Sequence, residues 1–168
     1  LFNEVQLTLS GAMQAGTVYT LTAANITDCK GNTIGTDNKA KVGLPVDAAA
    51  LDMIVNEILF NPRSNAYDFV EFYNKSNKIF DASKLFIANR NSSNVISSIG
   101  SLTTIPWLVF PGDYIVLTED AASLSREYLV TNPDWVFTKS SLPSFPDDKG
   151  FVLLLNQQGD VIDEVNYN

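Results

Sequence analysis

Two runs dominate the pattern of apolar and polar positions: Ile54-Val55-Asn56-Glu57-Ile58-Leu59-Phe60 and Asp68-Phe69-Val70-Glu71-Phe72-Tyr73-Asn74. Each is rich in β-branched and aromatic residues, and each has a Glu set inside it. Turn formers bound them, with Pro62, Ser64 and Asn65 between the runs and Ser76 and Asn77 after the second. This pattern predicts two adjacent strands. Further strands are predicted over 85–88, 114–118, 151–155 and 161–167, the last two forming a closing hairpin around 156–160. Pro111-Gly112-Asp113 reads as a tight turn, because Pro presets φ and Gly accepts a positive φ. The Asn- and Ser-rich stretch 89–98 reads as an exposed polar loop. One helix is predicted, over 120–130: Asp120 can cap it, Leu124 and Tyr128 share a face, and Pro133 stops it. A brief strand over 135–138 follows. The fold class is therefore all-β with one short helix.

The N-terminal quarter is also β-patterned. Residues 5–10 alternate with period two, so Val5, Leu7 and Leu9 face one way. Strands are predicted over 18–22 and 40–43. Between them, Asp28 and Asn32 flank Gly31 in a tight turn, where short polar side chains bond nearby N–H groups and Gly takes a positive φ. Residues 46–52 lack this patterning and follow Pro45, as a linker does. The first 45 residues are too few for their own sandwich, which needs about 100.

Composition narrows the functional classes. With 168 residues, 45% of them hydrophobic, the chain can bury one core of ordinary size. A net charge of −8 and a pI near 4.3 repel phosphate backbones and disfavour nucleic acid as a partner. The absence of His removes Ser-His-Asp and Cys-His nucleophilic catalysis. Cys29 is the single cysteine, so it has no internal disulfide partner. No run of about 18 apolar residues is present to span a bilayer as a helix. Asn25, Asn74 and Asn91 stand in glycosylation sequons, which matter only in a glycosylating secretory context. The chain begins at Leu1 without Met, as expected of a mature fragment.

Two resemblances sharpen this. Gly16, Tyr19, Leu21, Asp28, Gly31, Asn32 and Ile34 fall in a pattern that resembles the C-terminal half of bacterial Ig-like surface domains. It implies that residues 1–45 are an incomplete Ig-like segment whose first strands lie upstream. Residues 53–168 resemble a lamin tail domain, an Ig-like β-sandwich. That likeness rests on Asn56-Glu57-Ile58, on Asp68-Phe69-Val70-Glu71-Phe72-Tyr73-Asn74, on Asp81 and Ser83, and on Ile105-Pro106. It continues in Pro111-Gly112-Asp113-Tyr114-Ile115-Val116-Leu117 and in the run from Gly159 to Tyr167. Two features depart from the family. Lys84-Leu85 stands where the family favours Gly-Trp, and an insertion over 119–150 contains the helix. The resemblance implies a non-catalytic module of a bacterial surface or secreted protein, attached to upstream domains. It would bind a glycan or protein at the cell surface, or act as a spacer.

Three sets of residues carry candidate chemistry. Glu57 and Glu71, on adjacent strands, are the pair a glycoside hydrolase would need, although structural acceptors are the simpler role. Asp147-Asp148, Glu119-Asp120 and Asp160 with Asp163 offer oxygen ligands of the kind Ca²⁺ takes, without an Asp-x-Asp-x-Asp-Gly loop to organise them. Metal and cofactor are therefore expected to be absent, with Asp147 and Asp148 the weak exceptions. Trp107, Tyr128, Trp135, Phe137 and Phe145 can either stack on a ligand or pack in the core. Trp135 and Phe145 lie between turn signals in the insertion, so one of them is the candidate for exposure, with core packing the simpler role. The loops 61–67 and 89–98 are the other candidate binding segments.

Overall fold

The computed structural model describes residues 6–168. Its strands in chain order are β1 (Tyr19–Thr22), β2 (Lys39–Val42), β3 (Met53–Leu59), β4 (Phe69–Asn74), β5 (Phe80–Asp81) and β6 (Phe86–Arg90). They continue with β7 (Ile96–Ser101), β8 (Leu108–Val109), β9 (Tyr114–Thr118), β10 (Val136–Thr138), β11 (Gly150–Leu155) and β12 (Val161–Tyr167). One helix, α1 (Ala121–Glu127), lies between β9 and β10. The chain is thus mostly β-sheet.

Two four-stranded sheets dominate, ordered β10-β9-β4-β3 and β12-β11-β6-β7. Period-two alternation gives the first sheet an apolar inner face, whereas β11 is apolar on both sides, its Leu153 and Leu155 joining Ala88 in a second, smaller cluster. Val70 and Phe72 on β4, with Ile115 and Leu117 on β9, are fully buried. They join one cluster with Ile87 on β6, Val152 and Leu154 on β11, and Ile162 on β12. The two sheets therefore share a core. Leu85 is buried in the same cluster, so it fills space at the Lys84-Leu85 position.

The pairing of β3 with β4 is antiparallel, as the pattern predicts, but it is interrupted once. Val55 pairs with Phe72 and Glu57 with Glu71, leaving Asn56 as an extra residue in β3. This bulge resets the alternation. Val55 and Ile58 both reach the core, whereas Asn56 and Glu57 are both exposed. Strict alternation from Val55 would have pointed Glu57 inward. The sheets are also joined at their edges, where the Leu51 N–H donates to the Ile162 carbonyl at 2.8 Å. The Val55 N–H donates to the Asp163 carboxylate at 2.8 Å. On the second sheet, Arg90 donates to both oxygens of Glu164 at 2.7 Å.

Within residues 53–168, three elements differ from the sequence reading. Half of the polar loop over 89–98 is strand: Asn89 and Arg90 end β6, and β7 begins at Ile96. The remaining turn is closed by the Asn91 side chain, which accepts from the Ser93 and Val95 N–H groups. A Ser-rich edge strand has weak apolar alternation, and β7 is further broken where the register slips opposite Ala88, with Ser98 at φ 53°. The helix ends at Glu127, because Tyr128 is already extended; Asp120 caps it as predicted, accepting from Ser123 N–H at 3.0 Å. The short β5–β8 pair has too few residues to leave a periodic signal.

The N-terminal segment has β1 antiparallel to β2. The turn at Asp28 forms as predicted: its carboxylate accepts from the Lys30 and Asn32 N–H groups, and Gly31 takes φ +86°. Residues 6–10 form no strand, and Val5 lies outside the described residues. Several contacts among the described residues join the segment to the larger part. Lys41 pairs with Asp113 at 3.7 Å and lies over the Phe110 ring. The Val46 N–H donates to the Ile79 carbonyl at 2.9 Å. Gly43 approaches Ile79 and Thr17 so closely that a Cβ there would clash with both.

Phe72→Ala should lower stability by about 3–5 kcal/mol, through lost burial and the cavity left between the sheets; urea unfolding measures this. The Arg90 hydrogen bonds hold Glu164 below the ordinary glutamate value of 4.5. A lowered folded pKa means the pair contributes its full stability above 4.5 and loses it as pH falls through the folded value. Glu164→Gln should therefore lower the melting temperature at neutral pH. Its difference from the wild type should shrink progressively as the pH falls below 4.5.

Candidate functional site

The outer face of the first sheet is not left flat. Its floor consists of residues that the alternation points away from the core: Glu57 on β3, Glu71 on β4, and Tyr114 and Val116 on β9. The chain leaves β9 and returns as β10, which lies parallel to β9. Parallel neighbours need a crossover rather than a hairpin, and the insertion with α1 supplies it. That crossover packs on the sheet: Leu124 is buried, and the Tyr128 ring meets Phe69 edge-on at 5.5 Å between centroids. Residues 128–132 and Trp135 then wall a groove of about 460 Å³.

Glu57 and Glu71 are directly opposite one another on this floor. Glu57 is exposed and Glu71 half-buried. The Asn56 amide, turned outward by the bulge, donates to Glu71 at 2.7 Å. Tyr114 stacks on Tyr73 at 4.6 Å between centroids and is 45% exposed, which leaves ring surface open beside the carboxylates. At one end of the groove, burial pushes the Asp113 carboxyl up from its ordinary value. The Phe110 N–H and Lys41 act in the opposite direction.

Of the aromatic candidates, Tyr128 and Trp135 line this groove together. Trp107 lies behind them. It meets Trp135 and Phe137 edge-on at 5.9 and 5.6 Å, and all three pack against the core. Phe145 requires a correction: it is only 5% exposed and belongs to the core, not to an exposed platform. The chain around it folds inward, with Leu142 also buried and its N–H donating to the Glu119 carboxylate at 2.8 Å.

The acidic candidates are dispersed among structural tasks. Glu119 holds Leu142, Asp120 caps α1, and Asp163 accepts from Val55 N–H. Asp160 accepts from the Asn156 amide at 3.2 Å. Asp147 and Asp148 are exposed, and Asp148 accepts from Lys149 N–H. Among the described residues, no group of three His, Cys, Asp or Glu side chains converges as a metal site. Burial, with the charges of Asp68, Asp148 and Asp147 added, pushes the Tyr167 hydroxyl up to about 12. Of the sequons, Asn74 is fully buried and its amide donates to the Lys78 and Val109 carbonyls, whereas Asn25 and Asn91 are exposed.

The loop over 61–67 approaches the insertion, where Arg63 lies 3.9 Å from Glu127, but it does not line the groove. Sequence reasoning missed Tyr114 and Leu129. Tyr114 is detectable as an outward position of a predicted strand. Leu129, 91% exposed on the groove wall, carries no local signal.

Like charges directly opposite on neighbouring strands destabilise a sheet. Glu57→Gln should therefore raise the midpoint of urea unfolding slightly, and more at low salt than at high salt. In comparison with known proteins, no family model and no curated protein matches the chain.

Proposed function

We propose that residues 53–168 form an Ig-like β-sandwich of the lamin-tail type. In this reading it is a non-catalytic accessory module of a bacterial surface or secreted protein, and it binds a glycan or protein ligand in the groove. Residues 1–45 are then the C-terminal part of a preceding Ig-like domain. Two facing four-stranded sheets support the reading. So do the local roles of three motif residues: Asn74 bonded within the core, Gly112 at φ +82° in its turn, and Asp81 capping the turn at Ala82–Lys84. The observation that carries the binding role is the insertion. It converts an outward sheet face into a walled groove and brings Tyr128 and Trp135 to one side of it.

One observation favours a second reading, a hydrolase, because Glu57 and Glu71 are paired in register within the groove. Glycoside cleavage, however, needs its two carboxyl groups flanking the scissile bond. These two lie side by side on the floor, and the Asn56 amide already engages Glu71. Binding is therefore preferred.

The test is a screen of the folded chain against polysaccharides, host glycans and surface proteins, scoring both retention and product release. Tyr128→Ala/Trp135→Ala is the control. The expected result is a retained ligand, weakened at least about tenfold in the double variant, with no product released. Released product abolished by Glu71→Gln would favour the hydrolase. Retention indifferent to the double variant would remove the groove as the site. No retained ligand at all would favour a spacer holding an upstream domain off the cell surface.

A further inference from the structure

We infer that the groove takes a cationic peptide segment, with an Arg or Lys side chain set between apolar residues; this rests on the reading of the groove as a binding site. Glu57 and Glu71 are held in register on the floor, and none of the lining residues is basic. At the groove's end, Lys41 pairs instead with Asp113 and covers Phe110. The Asn56 amide donates to one oxygen of Glu71 but carries no charge to offset the pair. A neutral sugar can hydrogen-bond these carboxylates and leaves their repulsion in place. A guanidinium does both jobs, since its planar fork of donors carries a positive charge.

The surroundings match the rest of such a side chain. Tyr114, 45% exposed, lines the same groove as the carboxylates, and an aromatic face favours a cation above it. Val116 offers an apolar surface for the aliphatic stem. On the opposite wall, Tyr128 and the 91% exposed Leu129 present apolar surface to flanking residues. The net charge of −8 steers a cationic partner toward the chain.

The experiment uses the whole chain and a fluorescein-labelled peptide with an alternating Leu-Arg-Leu-Arg-Leu core, followed by anisotropy. Its counterpart has citrulline, the neutral isostere, in place of each Arg. The wild type should bind the Arg peptide, more weakly as salt rises. Affinity should fall at least about tenfold with citrulline, and likewise with Glu57→Gln or Glu71→Gln. Thermal melts of the Gln variants establish that they are folded. Equal binding of the citrulline peptide, or binding indifferent to both Gln variants, overturns the inference. Chitosan hexamer and cellohexaose form the second arm. If either sugar binds in a Tyr128-dependent way while the Arg peptide does not, the cationic peptide falls and the groove stands as a glycan site. If no probe binds and the screen above is also empty, both readings fall together.

Discussion

The larger part of this protein depends on one pairing, β3 with β4, and on the single extra residue within it. A strand that serves a buried core must keep its apolar residues on one face, and a shift of one position moves all of them to the other. In β3 the apolar residues are out of phase across Asn56. The bulge corrects this, so that Val55 and Ile58 both reach the core. The same correction keeps Glu57 in solvent, where burial would cost far more than the bulge itself. It also aims Asn56 at Glu71. One backbone irregularity thus serves the core and builds the floor of the groove.

The second constraint is the parallel placement of β10. Joining β9 to a parallel neighbour requires the chain to cross back over the sheet. The crossover lies on the outer face, and its apolar residues bury Phe69 and Leu124 there. Further along, the insertion also sends Phe145 and Leu142 into the core between the sheets. The insertion is therefore packed at two levels, and its aromatic residues divide accordingly. Some fill the core, while Tyr128 and Trp135 remain at a surface.

Strands with strong alternation were legible in advance. The β3–β4 pair, β9 and the closing hairpin all lie where apolar periodicity and turn residues placed them. Edge strand β7 was not legible, because Ile96-Ser97-Ser98-Ile99-Gly100-Ser101 buries little and its alternation breaks at Ser98. Among the site residues, Glu57 and Glu71 were legible as members of adjacent strands, but their direct opposition depends on the extra residue at Asn56. Phe145 was misplaced because turn signals on either side describe the backbone, not the direction of a side chain. The acidic pairs illustrate the same limit. Asp163, offered with Asp160 as a source of oxygen ligands, instead accepts a hydrogen bond from Val55 N–H on another sheet.

The sequence by itself determined the all-β class, the strands that carry the core, the cap of α1 at Asp120 and the Gly31 and Gly112 turns. Each of these depends on interactions within a few residues, or on a periodicity repeated along one segment. Only the tertiary structure decided that the insertion walls the sheet, that Tyr128 and Trp135 share a groove with two opposed carboxylates, and that Phe145 is buried. Those facts depend on contacts between segments far apart in the chain, whose relative positions come from packing two sheets against each other and a crossover against one of them. Local sequence carries no record of that geometry.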